Sequence, residues 1–249
     1  MNNLLEVCCG SFEDALQANK AHAHRIELNS ALYLGGLTPS LGSLIKTKTL
    51  TTIKTICMVR PRAGGFCYSN EDVEVMFEDA RLLLENGADG LAFGFLNEDA
   101  TINYELTKKM IDFIHSYQKE AVFHRAIDVS KDFEASLQQL IRLGCNRVLT
   151  SGSYATVSEG KDILKSVYKT YGNKIEIVMG SGINEQNAQQ LIDYTGIHQV
   201  HSSCKNYKQD FTTSNVNVNY QYLDSDDYEI VDIEKVKKIL DAIRKHPIL

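Results

Sequence analysis

The chain has 249 residues, 43% of them hydrophobic and 23% charged, with a formal net charge of −6. A single α/β barrel of this length buries about 75% of the surface its unfolded chain exposes, so folding needs no disulfide or metal staple. The negative charge argues against a nucleic-acid or anionic-membrane partner. No run approaches the ~18 apolar residues of a spanning helix, and the start MNNLLEVCCGSFEDAL lacks a basic region before an apolar core. A cytoplasmic location with six reduced cysteines is therefore expected.

In chain order, short β-rich runs alternate with amphipathic stretches. Strands are predicted to begin at Leu4 (LLEVC), Arg25 (RIELN), Ile53 (IKTICMVR), Gly90 (GLAFGF), Ala121 (AVFHR), Arg147 (RVLTS), Ile175 (IEIVMG) and Gln199 (QVHSS). Ser11 is the expected N-cap of FEDALQANKA, and Ser69 that of NEDVEVMFEDARLLLE, with Gly87 beyond its end. A short helix is predicted over 41–48, and longer ones over 102–118, 132–144, 157–172, 184–196 and 231–246. The polar segment 204–230 has no clear period and reads as one long loop, either a lid over the barrel mouth or an interface arm rich in tyrosine (Tyr207, Tyr220, Tyr222, Tyr228). Eight strand–helix units predict a parallel sheet closed into one TIM (β/α)8 barrel spanning 1–249. No G-x-G-x-x-G follows the first strand, which disfavours an open dinucleotide-binding sheet.

In such a barrel the chemistry lies at the carboxyl ends of the strands. Glu6 and Cys8 alternate with Leu5 and Val7, as Glu27 and Asn29 do with Ile26 and Leu28, so each polar pair is expected to point inward. Later strands end in Arg60 and Arg62, His124 and Arg125 with Asp128 beyond, Thr150-Ser151, Gly180-Ser181-Gly182, and His201-Ser202. Glu6, Glu27, His124 and Asp128 are the candidate acids and bases. Arg60, Arg62, Arg125, Ser151 and His201 are candidate anion ligands, with backbone N–H groups around Gly180, Ser181, Gly182 and Ser202 as a phosphate cup. A structural ion-pair network of Glu6 and Glu27 with Arg60 or Arg125 is the competing reading.

The cysteines at 8, 9, 57, 67, 145 and 204 include no C-x-x-C and no Cys/His cluster at zinc spacing. Cys8, Cys9, Cys67 and Cys204 fall near the carboxyl end. Converging thiolates there would select Cu(I).

The motifs LLEVCCGS, RIELNSALYLGGLTPS, MVRPRAGGFCYS, FHRAID, LTSG, MGSGIN, HSS and VDIEKVKKI, in this order, resemble the CutC-type copper homeostasis proteins. The resemblance implies a TIM barrel, a cytoplasmic role in copper handling, Cu(I) bound by cysteines at the ends of the first two strands, and a homodimer or larger homo-oligomer. The first of those ligands matches Cys8; the second position holds Asn29, and a carboxamide is a poor Cu(I) ligand. Cys67, or Cys9 if its side chain turned inward, would then have to complete the site. Gly65 stands where the family pattern suggests an acidic residue. Two functions follow: copper handling, or an isomerase, aldolase or lyase acting on a small anionic or phosphorylated substrate at the barrel mouth. No strand-end lysine suggests a Schiff base, since Lys54 lies at the opposite end.

Overall fold

Residues 2–225 and 227–244 are described by a computed structural model. The eight predicted runs become strands β1 (Leu4–Cys9), β2 (Arg25–Leu28), β3 (Lys54–Met58), β4 (Gly90–Phe93), β5 (Glu120–Phe123), β6 (Arg147–Thr150), β7 (Glu176–Gly180) and β8 (Gln199–Ser202). They are parallel and form a closed ring, β8 pairing back onto β1 with Glu6 opposite His201. Alternation sorts the side chains as the period of two requires. Leu5, Val7, Cys9, Ile26, Leu28, Cys57, Leu91 and Phe93 join the helix-packed core, whereas Ile56, Met58, Ala92 and Val122 form a separate apolar cluster inside the ring.

The outer helices are α1 (Phe12–Lys20), α2 (Leu41–Leu50), α3 (Asn70–Glu85), α4 (Tyr104–Ser116), α5 (Phe133–Arg142), α6 (Val157–Tyr171), α7 (Ala188–Thr195) and α8 (Ile233–Ile243). Ser11 caps α1, and Ser69 with Asp72 forms a capping box on α3, each cap contributing about 1 kcal/mol. The helix predicted from 184 starts later. Asn184 Oδ1 accepts from the backbone N–H of Gln186 and Asn187, holding a turn that delays α7. The last helix was expected to reach 246, and residues 245 and 246 lie outside those described. Among the described residues, no helix is long and apolar enough to cross a membrane.

The segment 204–230 is not a plain loop. It begins with β9 (Lys205–Gln209) and leads into β10 (Asp227–Val231), which pairs with β9 antiparallel. Every residue of β9 is exposed, so no apolar alternation marked the strand. The Val231 N–H donates to Asp14 Oδ1 at 2.7 Å, fastening this arm to α1 beside the barrel mouth.

Candidate functional site

The lower half of the barrel interior is a polar network built around Glu6. Arg25 Nε donates to one Glu6 oxygen, and His201 Nδ1 lies 2.8 Å from the other. Arg25 Nη2 donates to Gln199 at 3.0 Å, Gln199 to Glu176 at 2.8 Å, and Arg147 Nε to Glu176 at 2.9 Å. Arg147 also faces Glu120 at 3.0 Å, and Lys54 pairs with Glu120. Burial alone would raise the Glu6 pKa, but Arg25 and His201 outweigh it and hold the carboxyl well below the usual range. The competing reading of a structural ion-pair network thus holds for Glu6, but not with Arg60 or Arg125. The partner is Arg25, which alternation from Glu27 would have placed on the inner face.

Above this network, one ligand atom each from Cys8, Glu27 and His201 lie within 4.8 Å of one another. Glu27 is 3% exposed and forms no ion pair among the described residues; Asn29 Nδ2 donates to its Oε2 at 3.0 Å and reaches Cys8 Sγ at 3.6 Å. Burial raises the Glu27 pKa, and burial raises that of the Cys8 thiol as well. Burial would lower the His201 pKa, but hydrogen bonding to Cys8 and Glu6 drives it well above the ordinary value. Glu6 engages His201 Nδ1, which leaves Nε2 for Cys8 and Glu27. A cavity of about 210 Å³ reaches Cys8 between Leu32, Gly35, Ser203, Lys205 and Ile230, so the ion pairs do not seal this side of the mouth.

The donor set fits copper in part. A thiolate and an imidazole suit Cu(I), while Glu27 is a harder donor and Asn29 turns an N–H, not a lone pair, toward the sulfur. Neither proposed substitute for the second cysteine joins them. Cys9 points outward, its thiol donating to the Val7 carbonyl at 3.6 Å, and Cys67 is exposed on the loop after β3.

The remaining candidates separate into distinct groups. Asp128 accepts from Thr150 Oγ1, from the N–H groups of Ser151 and Ser153, and from Arg125 Nε at 2.8 Å; Arg125 also donates to Ser151 Oγ at 2.8 Å. This knot ties the loop after β5 to the loop after β6, which leaves Asp128 no lone pair suited to a general base. Arg62 pairs with Asp72 at 2.7 Å and donates to the Cys67 carbonyl, which holds its guanidinium on its own loop and the start of α3. Ser181 Oγ and Ser202 Oγ donate to the carbonyls of Ala155 and Ile183, holding the loops around Gly180 and Gly182. A cavity of about 330 Å³ borders Ser202, Lys205 and Lys235.

Arg60 and His124 form the third group. Arg60 donates to the carbonyls of Leu34 (2.9 Å), Gly36 (3.0 Å) and Gly64 (2.7 Å), joining the loops after β2 and β3. His124 Nδ1 accepts from the Ala126 N–H at 3.2 Å. Burial, reinforced by Arg60, lowers its pKa to about 3 and keeps the ring neutral. Three buried atoms here, Arg60 Nε, His124 Nε2 and Asn29 Oδ1, find no hydrogen-bond partner among the described residues. Each such group costs about 1–3 kcal/mol.

The CutC family model matches residues 3–206. A CutC family protein of Treponema denticola is 45% identical over 98% of this chain and 100% of its own length. The copper homeostasis protein cutC homolog of Mus musculus is 37% identical, covering 97% of this chain and 89% of that one. The crystal structure of a CutC protein from Streptococcus agalactiae superposes with a TM-score of 0.75 at 31% identity, covering 81% of this chain and 98% of that one. The barrel and its motifs thus place this chain in the CutC copper homeostasis family.

Proposed function

We propose that this chain handles copper by holding Cu(I) as cargo between Cys8 and His201 at the carboxyl end of the barrel. The observation that carries the reading is the buried Cys8–Glu27–His201 group, with His201 oriented by the Glu6 carboxylate. A carboxylate on the far nitrogen of an imidazole fixes its tautomer and raises its basicity as a ligand. The cavity beside Cys8 supplies an entry path. Asn29 and Glu27 set the surroundings of the sulfur instead of a second thiolate. A reducing, cytoplasmic setting follows from the same reading, because a thiolate site needs its cysteine free, and a homo-oligomer follows from the family. The test is titration of reduced protein with Cu(I) against a chromogenic chelator. One equivalent should bind, and affinity should fall at least about 100-fold in Cys8→Ser. Absence of stoichiometric binding, or a Cys8→Ser variant that binds like wild type, sinks the proposal.

A second reading, an isomerase- or lyase-type enzyme, rests on one further observation. Two neighbouring carboxyls are driven apart, Glu6 downward and Glu27 upward, which is how acid and base roles are divided. Incubating phosphorylated and hydroxy-acid substrates with the protein in D2O tests it. Wild type should exchange a substrate C–H proton and Glu27→Gln should not; no exchange with any substrate counts against it.

A further inference from the structure

Arg60 differs from the other buried arginines. Arg25 and Arg147 each face a carboxylate, whereas among the described residues no carboxylate forms an ion pair with Arg60, although it is only 5% exposed. Its terminal nitrogens reach backbone carbonyls, which satisfy hydrogen bonds without neutralising the charge. Among the described residues its Nε has no hydrogen-bond partner, and the buried Tyr68 hydroxyl nearby makes none either. A buried cation with neither counter-ion nor full hydrogen bonding is an unusual element for a core to keep.

The neighbouring orphans complete a recognisable pattern. His124 is 3% exposed, and because Nδ1 accepts from Ala126, the unpartnered Nε2 carries the proton and is a donor. Asn29 is 1% exposed, and its Oδ1 is an unpartnered acceptor lying against Gly36, whose carbonyl holds Arg60. Phe66 lies between Arg60 and His124, its ring centroid 5.2 Å from the Arg60 guanidinium carbon and 4.9 Å from the His124 ring. It rides on the loop after β3, just beyond Gly64 at φ +91° and Gly65, around whose Cα a side chain would meet nothing within 4 Å. Gly94, just past the end of β4, has no room for a Cβ, which would fall 2.6 Å from the His124 imidazole.

We propose that Arg60, His124 and Asn29 form a binding site for a small hydroxylated anion, of the 2-hydroxycarboxylate or phosphate-ester class, covered by Phe66 in this conformation. The anionic oxygens take the Arg60 Nε–H and His124 Nε2–H, and a ligand hydroxyl donates to Asn29 Oδ1. Two donors, one of them a permanent cation, and one acceptor select an anion with a hydroxyl over a simple carboxylate. The site adjoins the Cys8–His201 group through Asn29, whose Nδ2 faces Glu27 and Cys8 while its Oδ1 is the acceptor used here, and it does not rest on copper binding.

Histidine side-chain nitrogen NMR on the intact, 15N-histidine-labelled protein reads the site directly. Glycolate, glycerol 3-phosphate, inorganic phosphate and acetate serve as probes. Glycolate or glycerol 3-phosphate should shift the His124 Nε2 resonance saturably. Acetate, lacking the hydroxyl, should bind about tenfold more weakly, the worth of one hydrogen bond. Phe66→Ala should tighten binding by uncovering the donors, and Arg60→Gln should abolish it. No saturable His124 shift with any probe, in wild type and in Phe66→Ala alike, overturns the proposal. So does a shift that persists in a folded Arg60→Gln protein.

Discussion

The two halves of the barrel interior solve the problem of buried charge in opposite ways. Below, Arg25, Arg147, Glu6, Glu120 and Glu176 meet as opposite charges through Gln199 and His201, although Arg147 Nη1 and Glu120 Oε2 make no hydrogen bond among the described residues. Above, among the described residues, Arg60 forms no ion pair with an acid, Glu27 meets an amide and a thiol, and His124 and Asn29 each keep an idle polar atom. A lower half in which each charge meets its opposite serves stability. The under-paired upper half, at the end where this fold places its chemistry, retains groups able to engage something that is not part of the chain.

The largest test of this contrast breaks the lower network. Arg25→Met leaves the Glu6 carboxylate buried beside a neutral side chain and should cost about 3–5 kcal/mol in urea unfolding. A loss below about 1 kcal/mol would show that the lower half is not where the barrel stores its ionic stability. The next effect reads the upper half by pH. Folded His124 takes up a proton only near pH 3, whereas in the unfolded chain a histidine does so near 6.5. The unfolded state therefore binds more protons between these values, and stability falls as pH is lowered through 6.5. The contribution is about 2 kcal/mol between pH 7 and 5, and it should be missing from the pH–stability curve of His124→Asn.

A smaller effect concerns the arm. Asp14→Ala removes the carboxylate that accepts from Val231 and Gly10, and should cost about 1–2 kcal/mol while speeding proteolysis within 210–224. Unchanged cleavage would mean that Asp14 does not fasten the arm. The smallest change sharpens the comparison by moving the upper half toward a thiolate pair. Asn29→Cys should raise Cu(I) affinity about tenfold in chelator competition with little change in stability. An affinity at or below wild type would place Asn29 where it cannot share a ligand with Cys8.

Much of the architecture was legible because its signals are local. Ser11, Ser69 and Asp132 cap the helices they were expected or placed to begin, and the inward pairs Glu6/Cys8 and Glu27/Asn29 follow from alternation alone. The hairpin in 204–230 escaped notice because a strand with no buried face carries no period. The site was legible as a set of residues but not as a set of contacts. Strand-end position gathered Glu6, Glu27, His201, Arg60, His124, Arg125 and Asp128 into one group, although Arg125 and Asp128 are spent on each other and on neighbouring loops. Only distances reveal which polar groups are already satisfied.

By itself the sequence determined eight strand–helix units, the faces of their strands and the end at which polar side chains collect, because propensity, capping and alternation act over a few residues. The tertiary structure decided the partners. Closure of β8 onto β1 brings His201 to Glu6 across 195 residues of chain, and the same register sets Cys8 opposite Glu27. Barrel closure is a property of the whole ring of strands, and no segment of the chain carries it alone.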